Sequence, residues 1–149
     1  MSAHDDHSRV SHFGLCVADI ERSLRFYRDG LGFETAENYN LDDTMLDGLD
    51  RALEVPGPVR LRSQMITNGA VKIELLQFDE PAPVGSPSQA RNELGFTHLS
   101  LFVDDVDVVA ARLAELGGTI LATTRTKLGN EIIFLADPDG ARVELMARG

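Results

Sequence analysis

Two histidines and two glutamates are the residues of this sequence whose types and spacing best suit chemistry. His12 and His98 each open a predicted strand, and Glu74 and Glu144 each interrupt an apolar strand. A carboxylate inside such a strand is costly to bury unless something pairs with it. Imidazole nitrogens and carboxylate oxygens together suit a divalent ion such as Ni²⁺, Co²⁺, Mn²⁺, Zn²⁺ or Fe²⁺. The four residues therefore predict a site for one divalent metal ion.

The four residues occur at equivalent places because the sequence contains a weak internal repeat. The segment 10–20 aligns without a gap with the segment 96–106, at a constant shift of 86 residues (98 − 12 for the histidines). Both segments contain an apolar-x-His step, alternating apolar residues and Val-x-Asp followed by an apolar residue. A second echo closes each half, where Val71-Lys-Ile-Glu-Leu-Leu matches Ala141-Arg-Val-Glu-Leu-Met. Each half therefore carries one His and one Glu.

Each half has the pattern of a β-α-β-β-β module. Alternating apolar and polar residues predict a strand over residues 10–17, and Asp19 is a suitable N-cap for a helix that ends near Gly30. The second half repeats this with Asp105 as the cap and Gly117 as the stop. Three further strands follow in each half. The predicted fold class is therefore α+β, with two pseudo-repeated βαβββ modules.

The prolines and the ends of the repeats define the expected domain organisation. Residues 1–8 are predicted to be a disordered N-terminus, and residues 9–149 to form one domain. Within it, module 1 spans about 9–79, a linker with three prolines spans 80–94, and module 2 spans about 95–147.

The first module is longer than the second. Its His-to-Glu spacing is 62 residues (74 − 12), against 46 (144 − 98) in the second module. The additional residues fall mainly at 38–58, where residues 44–53 have the spacing of a short amphipathic helix. Long loops of this kind are often lids or binding elements.

Composition restricts the partners and the compartment. A net charge of −10 argues against nucleic acid and anionic membranes, and no apolar run approaches a membrane span. The N-terminus has no apolar core of a secretion signal, and a single cysteine, Cys16, fits a reducing cytoplasm. We therefore expect a cytoplasmic protein, with Cys16 as a small buried core residue.

The chain resembles the vicinal oxygen chelate superfamily, which includes glyoxalase I, methylmalonyl-CoA epimerase, extradiol dioxygenases, fosfomycin-resistance enzymes and bleomycin-binding proteins. The resemblance covers roughly residues 9 to 147. The motifs that carry it, besides the two modules, are Val17-x-Asp-Ile, Leu31-Gly-Phe, Ile73-Glu-Leu-Leu, Gly95-Phe-Thr-His, Val103-Asp-Asp-Val and Asp137-Pro-Asp-Gly. The resemblance implies a curved mixed sheet around a metal-binding cleft. It also implies a homodimer, and some members assemble the site across the dimer interface.

Within this superfamily, a set of two histidines and two glutamates is most similar to that of glyoxalase I and the epimerases. The resemblance implies a metal-dependent lyase or isomerase that abstracts and returns a proton next to a metal-chelated carbonyl of a small substrate. Glu144 is then the ligand that detaches and acts as the base, with Glu74 as its counterpart. Two alternatives remain open: an extradiol-type dioxygenase, and a non-catalytic binding or sequestration protein of the same fold.

Three further residues are candidates for substrate binding. Arg60 and Arg62 share one face of a predicted strand and could hold a carboxylate or phosphate, although a solvated strand face explains them as well. Phe102 is in phase with His98 and could line an apolar cleft, although core packing would also place it there.

Overall fold

The structure, a computed structural model, describes residues 7–149. The prediction for residues 1–8 therefore lies almost wholly outside the described residues. The elements of the first half are β1 (Phe13–Cys16), α1 (Ile20–Leu24) with a π-helical continuation (Arg25–Gly30), β2 (Glu34–Asp42), α2 (Leu49–Leu53), β3 (Arg60–Asn68) and β4 (Val71–Glu80). Those of the second half are β5 (Leu99–Val103), α3 (Val106–Glu115), β6 (Thr119–Leu128), β7 (Asn130–Ala136) and β8 (Arg142–Ala147).

The strands form two four-stranded mixed sheets, one in each half. Their strand orders are β1-β4-β3-β2 and β5-β8-β7-β6. The pairs β1–β4 and β5–β8 are parallel, and the other neighbouring strands are antiparallel. The predicted fold class, α+β with two βαβββ modules, is confirmed. The mixed sheet is divided into two, since no strand of residues 7–149 pairs across the halves.

Helices α1 and α3 begin at the predicted aspartate caps. The Asp19 carboxylate accepts a hydrogen bond from the Arg22 backbone N–H (3.2 Å), and Asp105 accepts from Asp107 and Val108 (2.9 and 3.1 Å). Each cap satisfies N–H groups that a helix N-terminus leaves without a partner. In each module the histidine is therefore followed by a strand (β1 or β5) and then by a capped helix (α1 or α3).

One hydrophobic core joins the two modules. It contains the inner faces of both sheets and the helices between them, and Phe26, Leu75, Leu113 and Leu145 are each 0% exposed. The helices can approach closely because residue 30 is glycine: a Cβ there would lie 2.5 Å from Leu113 Cδ2. Each sheet therefore packs one face against helices, and its other face carries the candidate site.

A polar contact also connects the modules. The Tyr27 hydroxyl donates to Asp137 Oδ2 at 2.7 Å, and Asp137 Oδ1 accepts the backbone N–H groups of Asp139 and Ala141 (2.9 and 2.8 Å). Arg22 donates to Asp139 Oδ1 at 2.5 Å. The turn between β7 and β8 is thereby fixed to the first helix.

The long loop of the first module packs against the sheet. Its helix α2 is shorter than the predicted 44–53. Leu49, Val59 and Leu61 form a second, small core, with Leu76 and Phe78 against it. Leu76 lies two residues beyond Glu74 in β4, on the same sheet face. The loop therefore covers one end of the face that carries Glu74.

Cys16 is exposed, so its assignment to the core was wrong. It lies in the edge strand β1, where Leu15 and Val17 point into the core and Cys16 points to the opposite face. Alternation alone could not identify which face of β1 is buried.

Candidate metal centre

The first half brings His12 and Glu74 together. His12 lies one residue before β1, and β1 pairs in parallel with β4, with Gly14 opposite Glu74. His12 Nε2 is 3.6 Å from Glu74 Oε1. The Ser11 hydroxyl shares a 2.7 Å hydrogen bond with His12 Nδ1, and the buried Ser63 hydroxyl donates to Glu74 Oε2 at 2.6 Å. Both side chains of the pair are thus oriented by a hydroxyl group.

The second half repeats this arrangement with His98 and Glu144. His98 lies one residue before β5, and the register places Ser100 opposite Glu144 in β8. His98 Nε2 is 3.7 Å from Glu144 Oε1. The Thr97 hydroxyl shares a 2.8 Å hydrogen bond with His98 Nδ1, and the Ser100 hydroxyl donates to Glu144 Oε1 at 2.7 Å.

In both pairs, His Nε2 and Glu Oε1 face each other without a hydrogen bond between them. Separations of 3.6 and 3.7 Å are longer than an N–H···O hydrogen bond. With Nδ1 occupied by a hydroxyl group, Nε2 faces the carboxylate and is available as a ligand. The side chains of His12 and Glu74 are 34% and 20% exposed, and those of His98 and Glu144 30% and 14% exposed, so a small ion can reach them.

One chain does not bring the two pairs into a single cluster. Among residues 7–149, no group of three or more His, Cys, Asp or Glu side chains is close enough to hold one ion. The four predicted ligands therefore form two His–Glu half-sites, His12–Glu74 and His98–Glu144.

Of the three predicted substrate-binding residues, the structure places Phe102 near a half-site. Phe102 lies in β5 two residues beyond Ser100 and is 63% exposed. Arg62 lies opposite Gln77, whose side chain accepts the backbone N–H of Ile20 on the helix side of the sheet. Arg62 therefore faces away from Glu74.

Both arginines have acidic neighbours. Arg62 is 3.7 Å from Glu21, and Arg60 is 3.7 Å from Asp79. Asp79 lies five residues beyond Glu74 along β4, so Arg60, like Arg62, lies apart from the half-site of its module.

Three residues that the sequence did not single out lie beside His98. The ring of Phe134 is 5.1 Å from the His98 ring, edge to face, and the Arg91 guanidinium lies 6.0 Å above Phe134. Arg142 precedes Glu144 by two residues and shares its sheet face. Burial, and then the positive charge of Arg142, lower the pKa of Arg91. Arg142 lies in the repeated segment Ala141-Arg-Val-Glu, so the repeat could have identified it, whereas no pattern in the linker marks Arg91.

The chain belongs to the Glyoxalase/Bleomycin resistance protein/Dioxygenase superfamily, whose profile matches residues 9–145. Proteins of this superfamily include lyases, epimerases and dioxygenases, and they generally use a divalent metal. Proteins of this fold commonly act as small-molecule-binding dimers. In the described part of the chain, no helix is long and apolar enough to cross a membrane.

Individual relatives cover most of the chain at low identity. The lactoylglutathione lyase-like protein terB of Aspergillus terreus is 29% identical over 95% of this chain and 76% of its own length. The ethylmalonyl-CoA/methylmalonyl-CoA epimerase of Cereibacter sphaeroides is 28% identical over 92% of this chain and 96% of its own. The crystal structure of a glyoxalase family protein from Bacillus cereus superposes with a TM-score of 0.80 at 18% identity, covering 99% and 98% of the two chains. The last comparison supports the fold alone.

Proposed function

We propose that this protein is a metal-dependent lyase or isomerase of the glyoxalase I or epimerase type. It removes a proton from the carbon next to a carbonyl group of a small substrate and returns that proton. The observation that carries the proposal is the duplicated His–Glu half-site, with Nε2–Oε1 distances of 3.6 and 3.7 Å and a hydroxyl group on each histidine and each carboxylate.

His12, Glu74, His98 and Glu144 would together hold one divalent ion, drawn from Ni²⁺, Co²⁺, Mn²⁺, Zn²⁺ and Fe²⁺. When bound, the ion supplies Lewis-acid polarisation of the substrate carbonyl. Because one chain keeps the ligands as two separate half-sites, the first half-site of one protomer would meet the second half-site of its partner in a homodimer. The largely exposed Phe102 ring beside the second half-site supports burial by such a partner or by substrate.

The two carboxylates differ in a way that supports Glu144 as the base. In Glu74, Oε1 faces His12 and Oε2 accepts from Ser63, so both oxygens are engaged. In Glu144, His98 and Ser100 both contact Oε1. No group in residues 7–149 donates a hydrogen bond to Glu144 Oε2. That oxygen can therefore take a substrate proton while Oε1 stays fixed, and Glu74 serves as the steadier ligand or as the base for the opposite face.

Metal content and proton exchange test the proposal. We expect purified wild-type protein to contain a transition metal, and His98→Ala to lose it. In deuterated water, lactoylglutathione or methylmalonyl-CoA, the compounds for which the two relatives are named, should exchange the proton next to the carbonyl, as followed by NMR. Glu144→Gln should lower this exchange by about 10²–10⁴-fold.

Other outcomes identify the alternatives. Wild-type protein that stays metal-free after reconstitution contradicts the proposal and favours a binding protein. Substrate-dependent oxygen uptake without proton exchange also contradicts it and indicates a dioxygenase.

A further inference from the structure

A cavity of about 380 Å³ lies between the two modules. We call it the inter-module pocket; its lining includes Phe13 and Ile73 from the first module and Phe96, His98 and Arg142 from the second. Its location is set by the edge of β1 and the start of β5, which lie close together without pairing. A cavity between structural units, with a few convergent polar groups, is the usual form of a small-molecule site.

The apolar part of the lining includes two aromatic rings that are incompletely covered. The rings of Phe13 and Phe96 meet edge to face with centroids 5.7 Å apart. Phe13 is 45% exposed and Phe96 is 88% exposed. Since exposed aromatic surface next to a cavity is unfavourable unless something covers it, the pocket favours a ligand with an apolar body.

The charge of the lining is opposite to that of the protein. Arg142 is the only Lys, Arg, Asp or Glu among the described residues that line the pocket, in a chain of net charge −10. Arg142 donates to the Gly140 carbonyl at 2.9 Å, which leaves its other N–H groups for a ligand. Within the described residues, no carboxylate lies within 4.0 Å of it.

The surroundings of Arg142 increase the positive potential at this end of the pocket. Arg91 is close enough for the charge of Arg142 to lower its pKa. Glu93 interacts electrostatically with both arginines, but its carboxylate accepts the backbone N–H groups of Gln89 and Ala90, each at 2.8 Å, and does not line the pocket. In the first module, Lys72 occupies the place equivalent to Arg142 and is paired with a carboxylate at 2.9 Å.

We propose that the inter-module pocket binds a small organic carboxylate with an aromatic or otherwise apolar body. The carboxylate pairs with Arg142, and the apolar body packs against the exposed surface of the Phe13 and Phe96 ring pair. Because His98 lines the same pocket, this ligand class is also the substrate class of the adjacent half-site. That second statement rests on the proposed function, whereas binding itself does not.

The test compares phenylacetate with its uncharged amide, phenylacetamide, by calorimetry on the full-length protein after metal removal by chelation. Wild-type protein should bind phenylacetate about tenfold more tightly than phenylacetamide, the value of a charge-assisted hydrogen bond. Arg142→Gln should abolish this preference without changing the affinity for phenylacetamide. Arg142→Lys should retain part of the preference for phenylacetate, and Phe96→Ala should weaken the binding of both ligands.

Arg148→Gln is the matched control, because Arg148 lines a different cavity between the modules, of about 410 Å³. This substitution should leave both affinities unchanged. Equal affinity of the wild type for the two probes, or a preference that survives in Arg142→Gln, would overturn the proposal. Since the measurement uses metal-free protein, its failure is distinct from failure of the metal-dependent function.

Discussion

The hydroxyl groups of Ser63 and Ser100 hold the two candidate ligand carboxylates in place. Each donates to a glutamate across neighbouring strands, at 2.6 and 2.7 Å. A hydrogen bond to a ligating carboxylate fixes its orientation before the ion arrives, so the ion need not order the side chain. The two serines come from strands that are not equivalent in the repeat, β3 and β5, yet each contacts the glutamate of its own module.

We expect Ser63→Ala and Ser100→Ala each to weaken metal binding by about 10–100-fold, because the carboxylate loses its orienting donor. Competition with a metal-sensitive dye measures the affinity. Ser23→Ala is the matched control for Ser63→Ala, since Ser23 is as buried as Ser63 and its hydroxyl has no partner in the described residues. Unchanged affinity in both variants would show that the serines serve the sheets only.

The sequence predicted the two histidines and two glutamates because a repeat marks them twice. It did not identify Ser63 as a glutamate partner, because Ser63 lies opposite Leu76 and reaches Glu74 diagonally, a contact that the register alone does not give. For Arg60 and Arg62, alternation predicts a common face, but the side of the sheet that this face takes is set by core packing.

The turn between β7 and β8 connects the second module to the helix of the first. Its Asp137 is 3% exposed and accepts the Tyr27 hydroxyl. Burial raises the pKa of Asp137 above its usual value of 3.8, although the hydrogen bonds from Tyr27 and the backbone act in the opposite direction. The folded protein therefore holds the Asp137 proton at pH values where the unfolded chain has released it.

This shift gives a pH dependence of known sign. Between pH 3.8 and the raised pKa, the folded state binds more protons than the unfolded state, so the contribution of Asp137 to stability falls as the pH rises. Asp137→Asn does not titrate, and its side-chain oxygen can still accept the backbone N–H groups. Urea unfolding should show the variant gaining stability relative to the wild type from about pH 3 to about pH 7. A difference that is constant or falls with pH would contradict this.

The sequence predicted the start of a helix correctly where a capping side chain determines it. Asp19 and Asp105 cap helices as expected, because capping is decided by neighbouring residues. The helix predicted over residues 44–53 is longer than the observed one, Leu49–Leu53. The apolar residues of this single helical turn pack against the sheet, and the segment before it forms turns instead of helix. Among them, Asp42 accepts the backbone N–H of Thr44 at 2.9 Å.

The arrangement of the two modules depends on packing contacts between residues far apart in the chain, and no local sequence pattern predicts them. The repeat predicts that the modules are alike, but not whether their half-sites face each other. In this chain the modules share one core through their helices, and the half-sites remain apart. The proposed meeting of half-sites between two copies follows from this separation, and it can be tested without knowledge of the substrate.

Two double variants provide the test. One lacks the first half-site (His12→Ala with Glu74→Gln), and the other lacks the second (His98→Ala with Glu144→Gln). Neither should bind metal alone, because every site in either homodimer lacks two ligands. Co-expression gives mixed dimers in which one of the two sites receives its intact half-sites from different chains. If half the dimers are mixed, metal binding should recover to about a quarter of the wild-type level.

The control is a mixture of the purified homodimers at a temperature where subunits do not exchange, which should bind no metal. If each site forms within one chain, co-expression restores nothing, since no chain carries all four ligands. Recovery in the mixed dimer therefore distinguishes the two arrangements by stoichiometry. Sedimentation of the same samples establishes that the recovered metal travels with the dimer.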